Sequence, residues 1–203
     1  MVHEAYRFAL PPALLGSLAL AAGWNWLGIA LLGVASFVLF FFRDPARQIP
    51  DDAKAIVAPA DGRVMEIVEE VEQGRPGRRM SIFLSIFDVH VNRVPYAGRI
   101  VRIQYRSGKF LNAMREQASA VNEQNIVTLE TARGPVVVRQ IAGFLARRIL
   151  CWKQEGDLVR TGEKLGMIRF GSRVDLWLPA DASFTVRPGE HVRGGATIVA
   201  RWD

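Results

Sequence analysis

The stretch "RFGSRVDLWLP", residues 169–179, places Gly171 and Ser172 between two runs that have the composition of β-strands. A glycine inside a strand pattern marks a bulge, or a place where another group approaches the backbone closely. The serine hydroxyl beside it is a weak nucleophile unless a nearby base activates it. The stretch by itself therefore allows two interpretations, a bulged hairpin corner or a reactive serine held in a sheet.

The chain around this stretch has the pattern of a mainly antiparallel β domain, with short β-type runs bounded by Gly and Pro. A helical segment near residues 109–122 interrupts the runs, and residues 144–152 fit either a strand or a short helix. The predicted β segments are a strand, a turn at 60–62 and a second strand over 55–72, two strands over 78–106 joined through 92–98, and a hairpin around 132–134.

The last fifty residues contain a weak internal repeat. The two segments are "EGDLVRTGEKLGMI" (155–168) and "PGEHVRGGATIVA" (188–200). Each has an acidic residue or Gly, then a Val, then a Gly, in the same order and at the same spacing. This frame is similar to the β-turn units of biotinyl and lipoyl carrier domains. A carrier needs a modifiable Lys at an exposed hairpin tip, and residues 169–187 contain no Lys. The repeat therefore predicts a shared β architecture without the carrier function.

The N-terminal segment is apolar and uncharged from Phe8 to Phe42. One straight helix of this length would exceed a hydrocarbon core of roughly 30 Å, and "GWNW" at 23–26 supplies a break. We expect two helices, near 10–22 and 27–42, that form a membrane-associated hairpin, as a span or a shallow insertion. Arginines on both flanks would place their side of the hairpin in the cytoplasm. The predicted domains are residues 1–48 and 49–203.

The composition points to an anionic partner. The formal net charge is +6, and only four of the 26 basic residues are lysine. Arginine binds phosphate and carboxylate groups through two parallel hydrogen bonds. The apolar N-terminus favours an anionic membrane surface over nucleic acid as the partner. The single cysteine excludes a disulfide framework, and the three histidines have no metal-ligand spacing, so we expect no metal site.

A serine nucleophile needs a base, and the base needs a group that orients it. His90 lies in the predicted β domain before the serine, and Asp61 lies in the tight turn of "APADGRV". Each has an ordinary structural interpretation, as a core histidine and as an Asx-turn. Together with Ser172 they give the order Asp, His, Ser, which is known from nucleophilic catalysis on unrelated folds.

Over essentially its full length the chain resembles the phosphatidylserine decarboxylases, in particular their short archaeal-type branch, which also occurs in bacteria. The motifs that carry the resemblance, after the apolar hairpin, are "FFRDP" (41–45), "APADGRV" (58–64), "FDVHVNRVP" (87–95), "GKFLNA" (108–113), "NEQN" (122–125) and "RFGSRVDLWLP" (169–179). Their order and number make this a specific match.

The resemblance implies a proenzyme that cuts itself between Gly171 and Ser172. The Ser172 hydroxyl would attack the Gly171 carbonyl, and elimination would release a β chain, 1–171, and an α chain, 172–203. Position 172 would become a covalent pyruvoyl group, an electron sink for decarboxylation of phosphatidylserine to phosphatidylethanolamine. His90 would act as base in self-cleavage and as proton donor in decarboxylation, with Asp61 on its other ring nitrogen.

One position departs from the family pattern. Longer members carry a second histidine three residues after the first, and here that position is Arg93. Either His90 serves both steps, or Arg93 and a water share one of them. Arg93 and Arg173 lie beside the predicted site and are candidates for binding the substrate carboxylate or phosphate, although a solvated face explains them equally well. His191 is interpreted as structural or exposed.

The resemblance also predicts a setting and partners. The two cleaved chains would stay together as a heterodimer on the cytoplasmic face of the cell membrane, and a homodimer is implied by resemblance only. Two other functions remain open: a membrane-tethered serine hydrolase that uses Asp61, His90 and Ser172, and a non-catalytic scaffold of the biotinyl or lipoyl type.

Overall fold

The computed structural model describes residues 1–109, 111, 121–143, 149–169 and 172–203. The chain divides into two compact units, Met1–Ala46 and Arg47–Asp203. The predicted cleavage-site residue Gly171, most of the helix predicted near 109–122, and residues 144–148 lie outside the described residues.

The first unit is a hairpin of two helices, α1 (Glu4–Ala21) and α2 (Asn25–Phe41). The helices approach closely at Gly16 and Gly28, where a Cβ atom on either residue would lie within 3.0 Å of the other's carbonyl oxygen. Helix α1 begins six residues earlier than predicted and runs through its proline pair. The predicted α-hairpin is thereby confirmed. Among the described residues no helix has the length and apolar character that crossing a membrane would require.

In its described residues the second unit contains fourteen strands. In chain order they are β1 (Ala55–Val57), β2 (Gly62–Glu72), β3 (Arg75–Leu84), β4 (Val91–Arg93), β5 (Gly98–Arg106), β6 (Gln124–Thr131), β7 (Gly134–Ile141), β8 (Ile149–Cys151), β9 (Leu158–Val159), β10 (Lys164–Ile168), β11 (Ser172–Pro179), β12 (Ala182–Phe184), β13 (His191–Val192) and β14 (Ile198–Trp202).

These strands form one large and two small antiparallel sheets. The large sheet has the order β13-β2-β3-β11-β7-β6-β5-β9, and the small sheets have the orders β1-β14-β12 and β4-β10-β8. The predicted mainly antiparallel β class is confirmed, but the similarity to biotinyl and lipoyl carriers is not. Each repeat segment does contain a two-residue strand followed by a five-residue strand, β9 and β10 in the first and β13 and β14 in the second, but these strands pair with other strands and not with each other.

One predicted connection was wrong. The sequence predicts that residues 92–98 connect two strands. In the structure, Val91–Arg93 is itself strand β4 and pairs with β10. The connection from β3 instead runs through residues 85–90. A three-residue strand whose partner lies more than seventy positions away leaves no local periodicity, so its pairing is decided by tertiary contacts.

Strand β11 lies near the middle of the large sheet, between β3 and β7. Its residues alternate between faces, as a strand requires. Val174, Leu176 and Leu178 belong to the main hydrophobic core. Arg173 and Asp175 therefore point to the opposite face, and the side chain of each is only 1% exposed.

A network of ion pairs covers this opposite face. Arg173 Nε donates to Asp175 Oδ1 at 2.6 Å, and Arg173 Nη2 donates to Glu66 Oε1 at 2.9 Å. Arg79 donates to Glu66 at 2.9 Å and also pairs with Glu70. The network joins β11 to β2 and β3, so it fixes the strand that begins at Ser172.

The network also changes carboxylate acidity. Burial raises the pKa of Glu66, but the hydrogen bond and charge of Arg79 and the charge of Arg173 outweigh burial and hold it below its usual value. Burial likewise raises the pKa of Glu70, and Arg79 and Arg139 together lower it further than burial raises it. Both carboxylates are therefore more acidic in the folded chain than in the unfolded chain.

Replacing Asp175 by Asn should destabilise the fold strongly, because Arg173 would stay buried without its nearest countercharge. Breaking a buried pair costs about 3–5 kcal/mol, and the remaining Glu66 contact places our expectation at about 3 kcal/mol. Urea unfolding of the uncleavable Ser172→Ala chain measures the loss. The control is Asp52→Asn, which removes an exposed pair with Arg201 and should cost much less, because solvent screens that pair. Equal losses in the two variants would contradict this account.

The unfolding free energy should fall in acid. Because the folded pKa values of Glu66 and Glu70 are lowered, their contribution is complete above the ordinary Glu value of 4.5 and is lost as the pH falls through the lower folded values. Urea unfolding at a series of pH values from neutral to below 4 tests this. In Glu66→Gln the loss over that range should be smaller, and an unchanged pH dependence would argue against the assignment.

Candidate active site

Ser172 is the first residue of β11 and is completely buried. It pairs with Leu84, the last residue of β3. Its hydroxyl oxygen has no hydrogen-bond partner among the residues that the structure describes. A buried polar atom without a partner is costly and rare in native structures, so packing alone does not explain this hydroxyl.

His90 is also completely buried, immediately before β4. Its Nδ1 atom lies 3.0 Å from the carbonyl oxygen of Asp88. Because a carbonyl only accepts, Nδ1 must carry the proton of a neutral ring in this contact. The neutral imidazole therefore has its basic lone pair on Nε2, the form that a general base requires.

Two short connections bring Ser172 and His90 into the same region. The amide of Ile168 donates to the carbonyl of His90 at 3.4 Å, and Ile168 precedes Ser172 by four residues, which span about 14 Å at most. From the other side, Leu84 pairs with Ser172 and precedes His90 by six residues. These chain connections limit how far apart Ser172 and His90 can lie, but among the described residues the Ser172 hydroxyl makes no hydrogen bond to the imidazole.

The structure does not bring Asp61 to His90. The Asp61 carboxylate accepts hydrogen bonds from Arg47 Nη2 at 2.9 and 3.0 Å and from the amide of Gly194 at 2.8 Å. The contact predicted between Asp61 and the imidazole is therefore corrected: the Asp88 carbonyl occupies Nδ1, and a guanidinium and an amide satisfy Asp61. Any role of Asp61 in catalysis stays a prediction.

Sequence reasoning missed Asp88, which organises the segment before His90. Its carboxylate Oδ2 accepts from the amide and the hydroxyl of Ser85 at 2.8 and 2.7 Å. Its other oxygen, Oδ1, lies 2.9 Å from Nε2 of His191. Because the carbonyl of Asp88 also contacts Nδ1 of His90, Asp88 alone connects Ser85 and His191 to the imidazole. Only the "FDVH" motif pointed to this position.

A buried chain of amides, also missed from sequence, crosses β4, β7 and β6. Gln140 Nε2 donates to Asn92 Oδ1 at 2.8 Å, and Asn125 Nδ2 donates to Gln140 Oε1 at 3.0 Å. The Nδ2 atom of Asn92 has no hydrogen-bond partner within the described ranges. Asn92 lies two residues after His90, so the same short segment carries the imidazole and a buried amide donor.

The two arginines predicted to bind substrate lie in different surroundings. Arg93 is buried, and its Nη1 donates to the carbonyl of Gly162 at 3.0 Å. Arg173 points into the ion-pair network with Glu66 and Asp175. The burial of Arg173 does not favour contact with a substrate, and both binding roles stay predictions.

These groups supply a particular chemistry. A buried hydroxyl, an imidazole held in its basic form and an amide donor are the parts needed to attack and polarise a carbonyl. In the part of the chain that the structure describes, no group of three or more His, Cys, Asp or Glu side chains is placed to hold a metal ion.

Comparison with known proteins identifies the family. The family model described as phosphatidylserine decarboxylase matches residues 34–200. Three relatives are each named phosphatidylserine decarboxylase proenzyme. That of Symbiobacterium thermophilum is 47% identical over 99% of this chain and 95% of its own length, that of Magnetococcus marinus 43% over 99% and 94%, and that of Solibacter usitatus 50% over 85% and 82%. The resemblance found in the sequence is confirmed, and the chain belongs to the phosphatidylserine decarboxylase family of enzymes.

Proposed function

We propose that this chain is a proenzyme that cleaves itself between Gly171 and Ser172 and then decarboxylates phosphatidylserine to phosphatidylethanolamine. Family membership supports the reaction, and one observation in this chain supports the place of cleavage. Ser172 begins a central strand with a buried hydroxyl that has no partner in the described chain.

In self-cleavage, His90 removes the hydroxyl proton of Ser172 through Nε2. The Ser172 oxygen then attacks the Gly171 carbonyl carbon, and the peptide C–N bond breaks to leave an ester and a free amine. The proton held by His90 passes to that amine. Loss of the Cα proton of residue 172 together with its Cβ–O bond then releases residues 1–171 with a carboxylate and leaves a dehydroalanine. One water then hydrolyses the resulting dehydroalanine, which releases ammonia and leaves the pyruvoyl group.

The surroundings of Ser172 suit this sequence of steps. Both Ser172 and His90 are fully buried, which limits the access of water that would hydrolyse the ester before elimination. The hydrogen bond from Nδ1 to the Asp88 carbonyl fixes the tautomer and the ring plane. His90 thus depends on a backbone carbonyl for its orientation.

The small chain has reasons to stay in place after cleavage. Residues 172–203 contribute β11 to the large sheet between β3 and β7, and β13 pairs with β2. Strand β14 pairs with β1 in a second sheet. These strand pairs and the Arg173 network with Glu66 cross from one product chain to the other, so we propose a stable heterodimer.

The described residues around position 172 fit a pyruvoyl group there. The buried donor of Asn92 and the imidazole of His90 are polar groups that a small carbonyl compound and its amide would need. When formed, the group acts as an electron sink for the carbanion that decarboxylation leaves. His90 is then assigned the protonation of that carbon, and Arg93 is the candidate for binding an anionic group of the substrate.

The N-terminal hairpin exposes apolar side chains of the kind that attach a protein to a membrane. Leu14, Leu18, Trp24 and Trp26 are large apolar side chains that are exposed on this unit. Such exposure is typical of membrane or protein contact. We therefore propose that residues 1–48 attach the β domain, 49–203, to the cytoplasmic face of an anionic membrane.

The serine-hydrolase alternative has less support. It requires an acid on His90, and the hydrogen bonds of Asp61 go to Arg47 and Gly194 instead. For the carrier alternative, the segment between the two repeats contains no Lys.

The wild-type chain should yield two products in denaturing mass spectrometry. Their masses should match residues 1–171 and residues 172–203 with a pyruvoyl group in place of Ser172, and Ser172→Ala should stay whole because it lacks the attacking oxygen. Ser183→Ala, at an exposed serine, should process normally. A wild-type chain of undivided mass would contradict the proposal.

Replacing His90 by Asn should slow self-cleavage by about 10²–10⁴-fold, the usual contribution of a general base. Gel analysis of chain division after cell-free synthesis gives the rate. Circular dichroism should show an unchanged fold, and His3→Asn should cleave at the wild-type rate. Normal cleavage in His90→Asn would remove His90 from the proposed mechanism.

A further inference from the structure

Two large apolar side chains are exposed beside the candidate site. Phe87 is 64% exposed and Ile86 is 37% exposed, and both lie in the connection between β3 and β4. We call residues 85–88 the 85–88 loop. Asp88 of this loop holds the imidazole of His90 through its carbonyl. The exposed side chains are therefore next in sequence to the residue that orients the proposed base.

The 85–88 loop is tied at its base. The amide of Asp88 donates to the Ser85 carbonyl at 3.0 Å, and the Asp88 carboxylate accepts from the amide and hydroxyl of Ser85. His191 binds the same carboxylate from β13. The exposed Ile86 and Phe87 lie between the two residues that these contacts hold together.

Two exposed arginines are connected to the base of this loop through His191 and strand β3. Arg63 is exposed and is the register partner of both His191 in β13 and Phe83 near the end of β3. Arg193 is exposed and follows His191 by two residues, with Val192 buried between them. The exposed acid of the same turn is Glu190, because the carboxylate of Asp88 is already shared by Ser85 and His191. The charge beside the tip is therefore mainly positive.

We infer that the 85–88 loop, with Arg63, His191 and Arg193 around it, docks on an anionic lipid bilayer. Phe87 and Ile86 would enter the boundary between headgroups and acyl chains, while the arginines contact lipid phosphates, as in other interfacial segments. The inference rests on the proposed function for its purpose, since docking here would bring lipid headgroups toward His90 and Ser172. The contact between the 85–88 loop and the bilayer can be measured without any enzymatic turnover.

A single fluorescent label can read this contact in the full chain. Cys151 is the only cysteine, so Cys151→Ala provides a background for one new cysteine. Phe87→Cys places an environment-sensitive nitrobenzoxadiazole label at the tip. Val71→Cys is the matched control, because Val71 is 67% exposed and lies eight residues from Arg63 along β2, roughly 26 Å away.

The label at position 87 should shift its emission to the blue and gain intensity when vesicles of phosphatidylcholine with phosphatidylglycerol are added. The label at position 71 should not respond, and vesicles of phosphatidylcholine alone should give little change at either position. Vesicles that sediment with the chain while the label at 87 stays unchanged would overturn the inference, because another part of the chain would then carry the binding. An equal response at positions 71 and 87 would overturn it as well.

A charge variant tests the basic residues separately. Arg63→Gln with Arg193→Gln should weaken the vesicle-induced response at position 87 by roughly fivefold for each arginine, since a basic residue near an anionic surface contributes about that factor. Arg75→Gln with Arg102→Gln removes the same charge from exposed positions elsewhere and should leave the response intact. Equal weakening in both pairs would show that net charge, and not this surface, determines binding.

The label also separates this inference from the proposed function. Mass spectrometry of the same labelled chains reports whether self-cleavage occurs, and conversion of phosphatidylserine reports the reaction. If the chain docks at position 87 without cleaving, the result supports the docking surface and contradicts the proposed function. If the chain cleaves and turns over substrate without any response at position 87, the result supports the proposed function and contradicts the docking surface.

Discussion

Strand β11 is hydrogen-bonded along both edges, to β3 from Ser172 to Pro179 and to β7 from Arg173 to Trp177. The position of the proposed reaction depends on these two ladders, because residue 172 is the first residue of the strand. An edge strand would let this end fray, whereas a strand paired on both sides keeps its first residue in register. The ion pair of Arg173 with Asp175 adds a side-chain constraint one residue from the serine. The sheet therefore holds the serine in place before cleavage and would hold the new chain end afterwards.

Burial at this strand end has two opposite effects. It leaves the Ser172 hydroxyl without a partner in the described chain, which costs stability. It also limits the access of water to the ester that the proposed self-cleavage would form. Asn92 shows the same two effects, because its Nδ2 atom donates to no group in the described chain while Gln140 Nε2 donates to its oxygen. Proteins accept such costs mainly where a polar group has a chemical task. The surrounding core and ladders supply the stability that these groups remove.

Much of this arrangement followed from sequence pattern, and the failures have a common cause. The β-type run after Ser172 and the turn at 132–134 are local signals, and strand β11 and the hairpin of β6 and β7 formed as predicted. The family motifs located Ser172 and His90. The partner of Asp61 could not be read in this way, because Arg47 and Gly194 reach it only in the folded chain. Asp88 was missed because an acidic residue in a turn satisfies ordinary turn rules. Residue types were thus predictable, and side-chain partners across the fold were not.

The residue that was missed links two parts of the molecule. Asp88 uses its carbonyl to hold His90 and its carboxylate to hold Ser85 and His191. His191 belongs to the part of the chain that cleavage would separate, so the base in the large chain would be oriented through a contact with the small chain. The same bonds fix the loop that exposes Phe87. A force on that loop at a lipid surface would act on Asp88 first and on the imidazole next. The geometry therefore couples the proposed docking surface to the proposed base through a single carboxylate and its own backbone carbonyl.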